Sequence, residues 1–135
     1  MTRKLGILAL ALMALAWPAL AAANTTQEVW AHHINAWNGR DLDGIVSDYT
    51  EESVVVMNNT VYRGIKEIRS LFNHLFKTFD QAKEHHIDPA VVTGKIVYIT
   101  WNAKMGGVRY TVGTDTFVID GGRIEYQTIF SNPQF

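Results

Sequence analysis

Trp37–Phe72, WNGRDLDGIVSDYTEESVVVMNNTVYRGIKEIRSLF, holds a helix end, a short second helix, a tight hairpin and the start of a third helix. Asn38-Gly39 stops the first helix, because such residues tolerate the left-handed conformation at a helix end. Asp41 can cap a short second helix with Leu42, Ile45, Val46 and Tyr49 on its inner side. Ser53–Met57 is a β-branched run, and Asn58-Asn59 suits a two-residue hairpin turn into Val61-Tyr62-Arg63. From Gly64 the residues Ile65, Ile68, Leu71 and Phe72, continued by Leu75, Phe76 and Phe79, form a broad apolar face. That order suits helices wrapped around a curved sheet to leave one deep pocket.

Upstream, Thr25 or Thr26 can cap a helix carrying Val29, Trp30, His33, Ile34 and Trp37 at helical spacing. Downstream of Asp80 the chain changes character. Segments near 84–92, 95–104, 108–119 and 122–131 are rich in Val, Ile, Thr, Tyr and Trp, with turns at Gly94-Lys95, Gly106-Gly107 and Gly121-Gly122. Three helices followed by a meander of long strands predict an α+β fold, helices on one face of an antiparallel sheet.

The N-terminus reads as a secretory signal peptide. Arg3 and Lys4 precede an apolar run from Leu5 to Trp17, then Pro18 and the small residues Ala21 to Ala23. The expected organisation is a leader at 1–23 and one domain at 24–135, soluble in the periplasm or secreted, with no stable membrane anchor after cleavage. Its 135 residues contain no cysteine, so stability rests on packing. Lys+Arg 12 against Asp+Glu 13, with no basic run, argues against a nucleic-acid partner.

Beyond these local signals, NGRDLDGIVSDYTEESVVV, YRGIKEIRSLF and GTDTFVIDGGRIEYQTIF together resemble the nuclear transport factor 2-like superfamily, in its SnoaL-like and ketosteroid-isomerase-like branches. The resemblance implies a cone-shaped α+β barrel, with three N-terminal helices packed on a strongly curved antiparallel sheet. It also implies a ligand site in the mouth of the cone, and a homodimer formed through the outer sheet face. That fold hosts isomerases, cyclases, dehydratases and proteins without chemistry. Ketosteroid isomerases use a carboxylate base, a tyrosine donor and a protonated aspartic acid. By the resemblance, the acid falls on Asp115 in TDTF, the tyrosine position near His33, and the base near Met57, which cannot take a proton. Steroid isomerisation by that mechanism is not expected.

Three residues are candidates for acid/base work. Asp115 lies mid-strand on one face with Thr111, Gly113 and Phe117; that face lines either an apolar cone, where burial would raise its pKa, or solvent. His33 lies on the apolar stripe of the first helix, as a donor or shuttle or as a core histidine. In His85-His86 only one ring can face inward; His86, with Asp88 on its side, is the candidate base, against a surface pair. Trp30, Tyr49, Met57, Trp101, Phe117 and Tyr126 are the candidate ligand-binding residues, with Trp37 read as core and Tyr49 as the hydroxyl nearest the cavity. Asp48, Glu51 and Glu52 read as a solvated helix end, and His32 as exposed. The histidines show no metal-ligand spacing, and no nucleotide fingerprint, phosphate loop or nucleophile site stands out, so no metal or cofactor is expected. Two readings follow. One is an exported protein binding a small apolar organic molecule, with cofactor-free isomerase, cyclase or dehydratase chemistry. The other is a non-catalytic dimeric binding or assembly module.

Overall fold

The computed structural model describes residues 23–80, 82 and 84–135. Apart from Ala23, the leader expected at 1–23 lies outside the described residues. The element order is α1 (Thr26–Gly39), α2 (Leu42–Ser47), β1 (Val54–Met57), β2 (Thr60–Arg63), α3 (Gly64–Phe79), β3 (Glu84–Ile87), β4 (Val91–Thr93), β5 (Ile96–Met105), β6 (Val108–Asp120) and β7 (Arg123–Gln134).

A capping box starts α1. Thr25 Oγ1 accepts from Glu28 N at 3.2 Å while Glu28 Oε2 accepts from Thr25 N at 2.7 Å, satisfying amides the helix itself leaves open. The left-handed turn that ends α1 falls on Arg40, φ 55, one residue beyond Gly39. The Arg40 guanidinium donates to Trp37 O and Phe79 O, which ties the ends of α1 and α3 together. Asp41 Oδ1 accepts from Gly44 N at 2.9 Å and caps α2. In the β1–β2 hairpin the positive φ falls on Asn58. The apolar face of α3 is buried at Ile68, Leu71, Phe72, Leu75, Phe76 and Phe79.

The seven strands form one sheet in the order β2-β1-β7-β6-β5-β3, with β4 also on β5. One pairing departs from an antiparallel meander: β1 runs parallel to β7, Val55 beside Gln127, so the sheet is mixed. The segment near 84–92 is two strands rather than one. Pro89 lacks an amide for the ladder, and the chain leaves β3 before it and re-enters as β4 after it. Register shifts interrupt the long strands at Trp101/Ala103, Tyr110/Gly113 and Val118/Ile119. Such bulges bend and twist a sheet, and here they accompany the curvature that wraps it around α1 and α3. Ile45, Val55, Ile68, Val97, Phe117 and Ile124 are almost fully buried in the core between them. No helix among the described residues is long and apolar enough to cross a membrane.

Candidate functional site

The concave side of the sheet and the helices leave a cavity of about 130 Å³, walled chiefly by apolar and aromatic side chains. Its wall takes Trp30, His33, Ile34 and Trp37 from α1, Phe72 and Phe79 from α3, and Trp101, Asp115 and Gln127 from the long strands.

Asp115 stands on β6 with Ile99 and Ile129 as its cross-strand neighbours. Two donors reach it: Trp101 Nε1 to Oδ1 and Gln127 Nε2 to Oδ2, each at 2.9 Å. Gln127 is held in turn by Tyr49, whose hydroxyl donates to Gln127 Oε1. Burial pushes the Asp115 carboxyl up to about 6, against the lowering effect of its two hydrogen bonds. The same burial, with the charges of Asp115 and Asp48, raises the Tyr49 phenol well above its ordinary value. Gly113 makes the Trp101 contact possible. The two residues face each other across the β5–β6 ladder, and a Cβ on residue 113 would lie 2.1 Å from Trp101 Cε2. The indole occupies the space a side chain would take, and from there its N–H reaches Asp115.

A second polar group enters from the helices. His33 is 4% exposed, and its Nδ1 lies 3.0 Å from Asp48 Oδ2. His32 Nδ1 lies 2.7 Å from the other oxygen, Asp48 Oδ1. With the carboxylate ionised, Nδ1 of His33 is the donor, which leaves Nε2 as the nitrogen open to a ligand. The ring is held by edge-on contacts with Phe117 at 5.2 Å and with Tyr49 and Phe72 at 5.8 Å. His85, half-buried on β3, packs on Phe79 and has its pKa lowered, first by burial and then by Arg40 and His86.

Of the candidate residues, Asp115, His33, Trp30, Met57, Trp101 and Phe117 line the cavity. His86 does not. It is exposed, with Nε2 3.2 Å from Asp88 Oδ1, while His85 and Ile87 take the inward positions of β3. The apolar Ile87, two residues from His85, was the sequence signal for that choice. Tyr126 does not line the cavity either: it is 55% exposed on the outer sheet face. Counting alternate residues from buried Ile124 sends Tyr126 inward, but the bulge between Val118 and Ile119 changes the parity and turns Gln127 inward instead. Tyr49 is one step removed, its hydroxyl directed at Gln127 rather than at the cavity. Trp37, read as core, is half-buried and part of the wall. Asp48, read as solvated, is 6% exposed and serves both histidines, so His32, though its ring is largely exposed, belongs to the same cluster. Gln127 and Asp48 are the polar residues that sequence reasoning missed. No group of histidine and acidic side chains fit to hold a metal ion occurs among the described residues.

The SnoaL-like domain family matches residues 30–127. Among solved structures, a steroid delta-isomerase from Pseudomonas aeruginosa superposes with a TM-score of 0.71 at 18% identity, over 86% of this chain and 85% of that one. A protein of Shewanella denitrificans OS-217, provisionally named a SnoaL-like polyketide cyclase, gives 0.60 at 17% identity, over 79% and 90%. A de novo designed protein with a curved β-sheet gives 0.65 at 11% identity, over 79% and 84%. At these identities the likeness is one of fold. No curated protein matches the chain.

Proposed function

The chain belongs to the SnoaL-like domain family, and from that premise we propose that it is an exported small-molecule-binding protein whose cavity takes a small, mostly apolar organic molecule. The observation that carries this reading is a buried polar cluster on the wall of an apolar cavity, Asp115 held by Trp101 and Gln127. Ligand sites of this kind bury an apolar body and fix it with a few convergent polar groups. Any chemistry would be proton transfer without a cofactor, as in isomerisation, cyclisation or dehydration. His33, oriented by Asp48, is the base or shuttle in that scheme, and Asp115 fixes the polar end of the substrate. The relatives named as a steroid isomerase and a polyketide cyclase lend this reaction class support by analogy of fold alone.

Export and self-association complete the proposal. The charged start, apolar run and small residues before Asn24 support delivery to the periplasm or medium. The outer sheet face supports a homodimer, the alternative reading being a dimeric binding or assembly module. There Ile96 of β5, Val118 of β6 and Tyr126 of β7 lie abreast, and Tyr98 and Phe130 extend the patch. Contiguous exposed apolar surface of this kind marks an interaction face.

A native mass spectrum of the protein purified from its export compartment tests the proposal. The expected result is a chain shortened by its leader, carrying a small organic molecule. A full-length chain would overturn export. An empty cavity that also takes up no small aromatic compound at millimolar concentration would overturn the binding function.

A further inference from the structure

Every hydrogen bond around Asp115 points toward it. Trp101 Nε1 can only donate, and it sits on Oδ1. Gln127 presents its Nε2 to Oδ2 because its Oε1 is taken by the Tyr49 hydroxyl. That hydroxyl stays protonated, since burial raises its pKa. Donors on both oxygens favour the ionised carboxylate, against the desolvation that opposes it. A carboxylate offers about four lone-pair positions; the two donors leave the others to whatever fills the cavity.

The cavity contains no counter-ion for this charge. No lysine or arginine lines it among the described residues. Arg40 is turned away, onto the carbonyls of Trp37 and Phe79. His85 has its pKa lowered by burial and by Arg40, so it does not supply a positive charge near neutral pH. His33 is tied to Asp48, which balances any charge the imidazole takes on. Around Asp115 the wall is aromatic, with Trp30, Phe79, Trp101, Tyr110 and Phe117.

We infer that the ligand of this cavity is a small apolar amine, bound protonated, with its ammonium seated on Asp115 among the aromatic rings. The inference rests on the small-molecule reading and names the ligand's chemistry within it. An ammonium fills the open lone pairs with charge-assisted hydrogen bonds and neutralises an anion whose desolvation the fold has already met. The rings add cation–π attraction. A ketone would bring only an acceptor to a carboxylate without a proton, and a carboxylate ligand would bring a like charge.

The test compares shape-matched compounds on the full mature protein by calorimetry at pH 7.5: benzylamine, benzyl alcohol, acetophenone and benzoate. Benzylamine is expected to bind at least about tenfold more tightly than the alcohol or the ketone, and benzoate not at all. In Asp115→Asn the amine's advantage should disappear while the alcohol still binds within about twofold of its wild-type affinity. An alcohol or ketone that equals the amine on wild-type protein overturns the amine inference and leaves the cavity reading standing. An amine preference that survives in Asp115→Asn removes Asp115 from the site. Absence of binding by all four overturns both readings. The wild-type comparison decides the ligand class even if the variant does not fold.

Discussion

Asp115 costs the fold stability when it is ionised, and the sign of that cost can be read from its pKa. The native carboxyl, near 6, holds its proton where the unfolded one, near 3.8, has released it. The native state therefore binds more protons between these values, and stability falls as pH rises through that window. Asn at 115 has no charge to desolvate, and Gln127 can turn its amide over to accept from it. Asp115→Asn is therefore expected to be more stable than wild type at pH 8 by about 1–3 kcal/mol, the gain shrinking toward zero by pH 4. Thermal melts across that range check it; equal destabilisation at both ends would sink the electrostatic account. Gly113 is a steric counterpart. A methyl there meets the Trp101 ring, so Gly113→Ala should cost about 2–4 kcal/mol and shift tryptophan emission as the indole leaves Asp115. Tyr49→Phe strips the donor from buried Gln127 Oε1 and should cost about 1–3 kcal/mol in urea unfolding. Of this network, Asp115 stood out in the sequence, because an acid mid-strand is disfavoured unless something holds it. Gln127 did not, because the bulge that turns it inward is set by the pairing of β6 with β7.

At the level of elements, α3 depends on a residue outside itself. Its N-cap, Arg63, makes no side-chain cap, and Glu51, ahead of β1, supplies the acceptor: Oε2 takes the Ile65 amide at 3.2 Å. The chain enters the helix through Gly64 at φ +70, where a Cβ would lie 2.8 Å from that same Glu51 oxygen. Gly64→Ala is therefore expected to cost about 1–3 kcal/mol, whereas Gly39→Ala, at an open site without a positive φ, should change stability by less than about 0.5 kcal/mol. Denaturant titrations of the pair check it; equal costs would show that the Gly64 turn is unstrained. The apolar face of α3 was legible from its spacing, but its cap was not, since Glu51 and Ile65 meet only when the β1–β2 hairpin folds back. Strand β3 teaches the same point at shorter range: the parity of His85 and Ile87 was in the sequence, while the face they take is decided by pairing with β5.

The whole molecule presents two apolar surfaces, one enclosed and one open. The enclosed one is the cavity; the open one is the outer patch of Ile96, Tyr98, Tyr126 and Phe130. If that patch holds the proposed dimer together, Tyr126→Glu with Phe130→Glu should give a monomer in analytical ultracentrifugation. Neither residue lines the cavity, so the monomer should bind the same compounds with affinity changed by less than about threefold. A wild-type protein that is monomeric at micromolar concentration would remove the dimer from the proposal. The likeness to a steroid isomerase and to a designed protein alike shows that this cone is a scaffold, and that its chemistry lies in the few polar groups placed inside it.

By itself the sequence determined the helices, the long strands, their turns and the family, because each rests on local periodicity, caps and glycines that act over a few residues. It also singled out Asp115 and His33, polar residues placed on otherwise apolar faces. Only the tertiary structure decided the parallel pairing of β1 with β7, the inward turn of Gln127, the burial of Asp48 between His32 and His33, and the exposure of His86 and Tyr126. Those outcomes depend on which strand pairs with which and where a ladder slips by one residue. A slip of one residue reverses the faces of a strand, and no local signal in the chain records it.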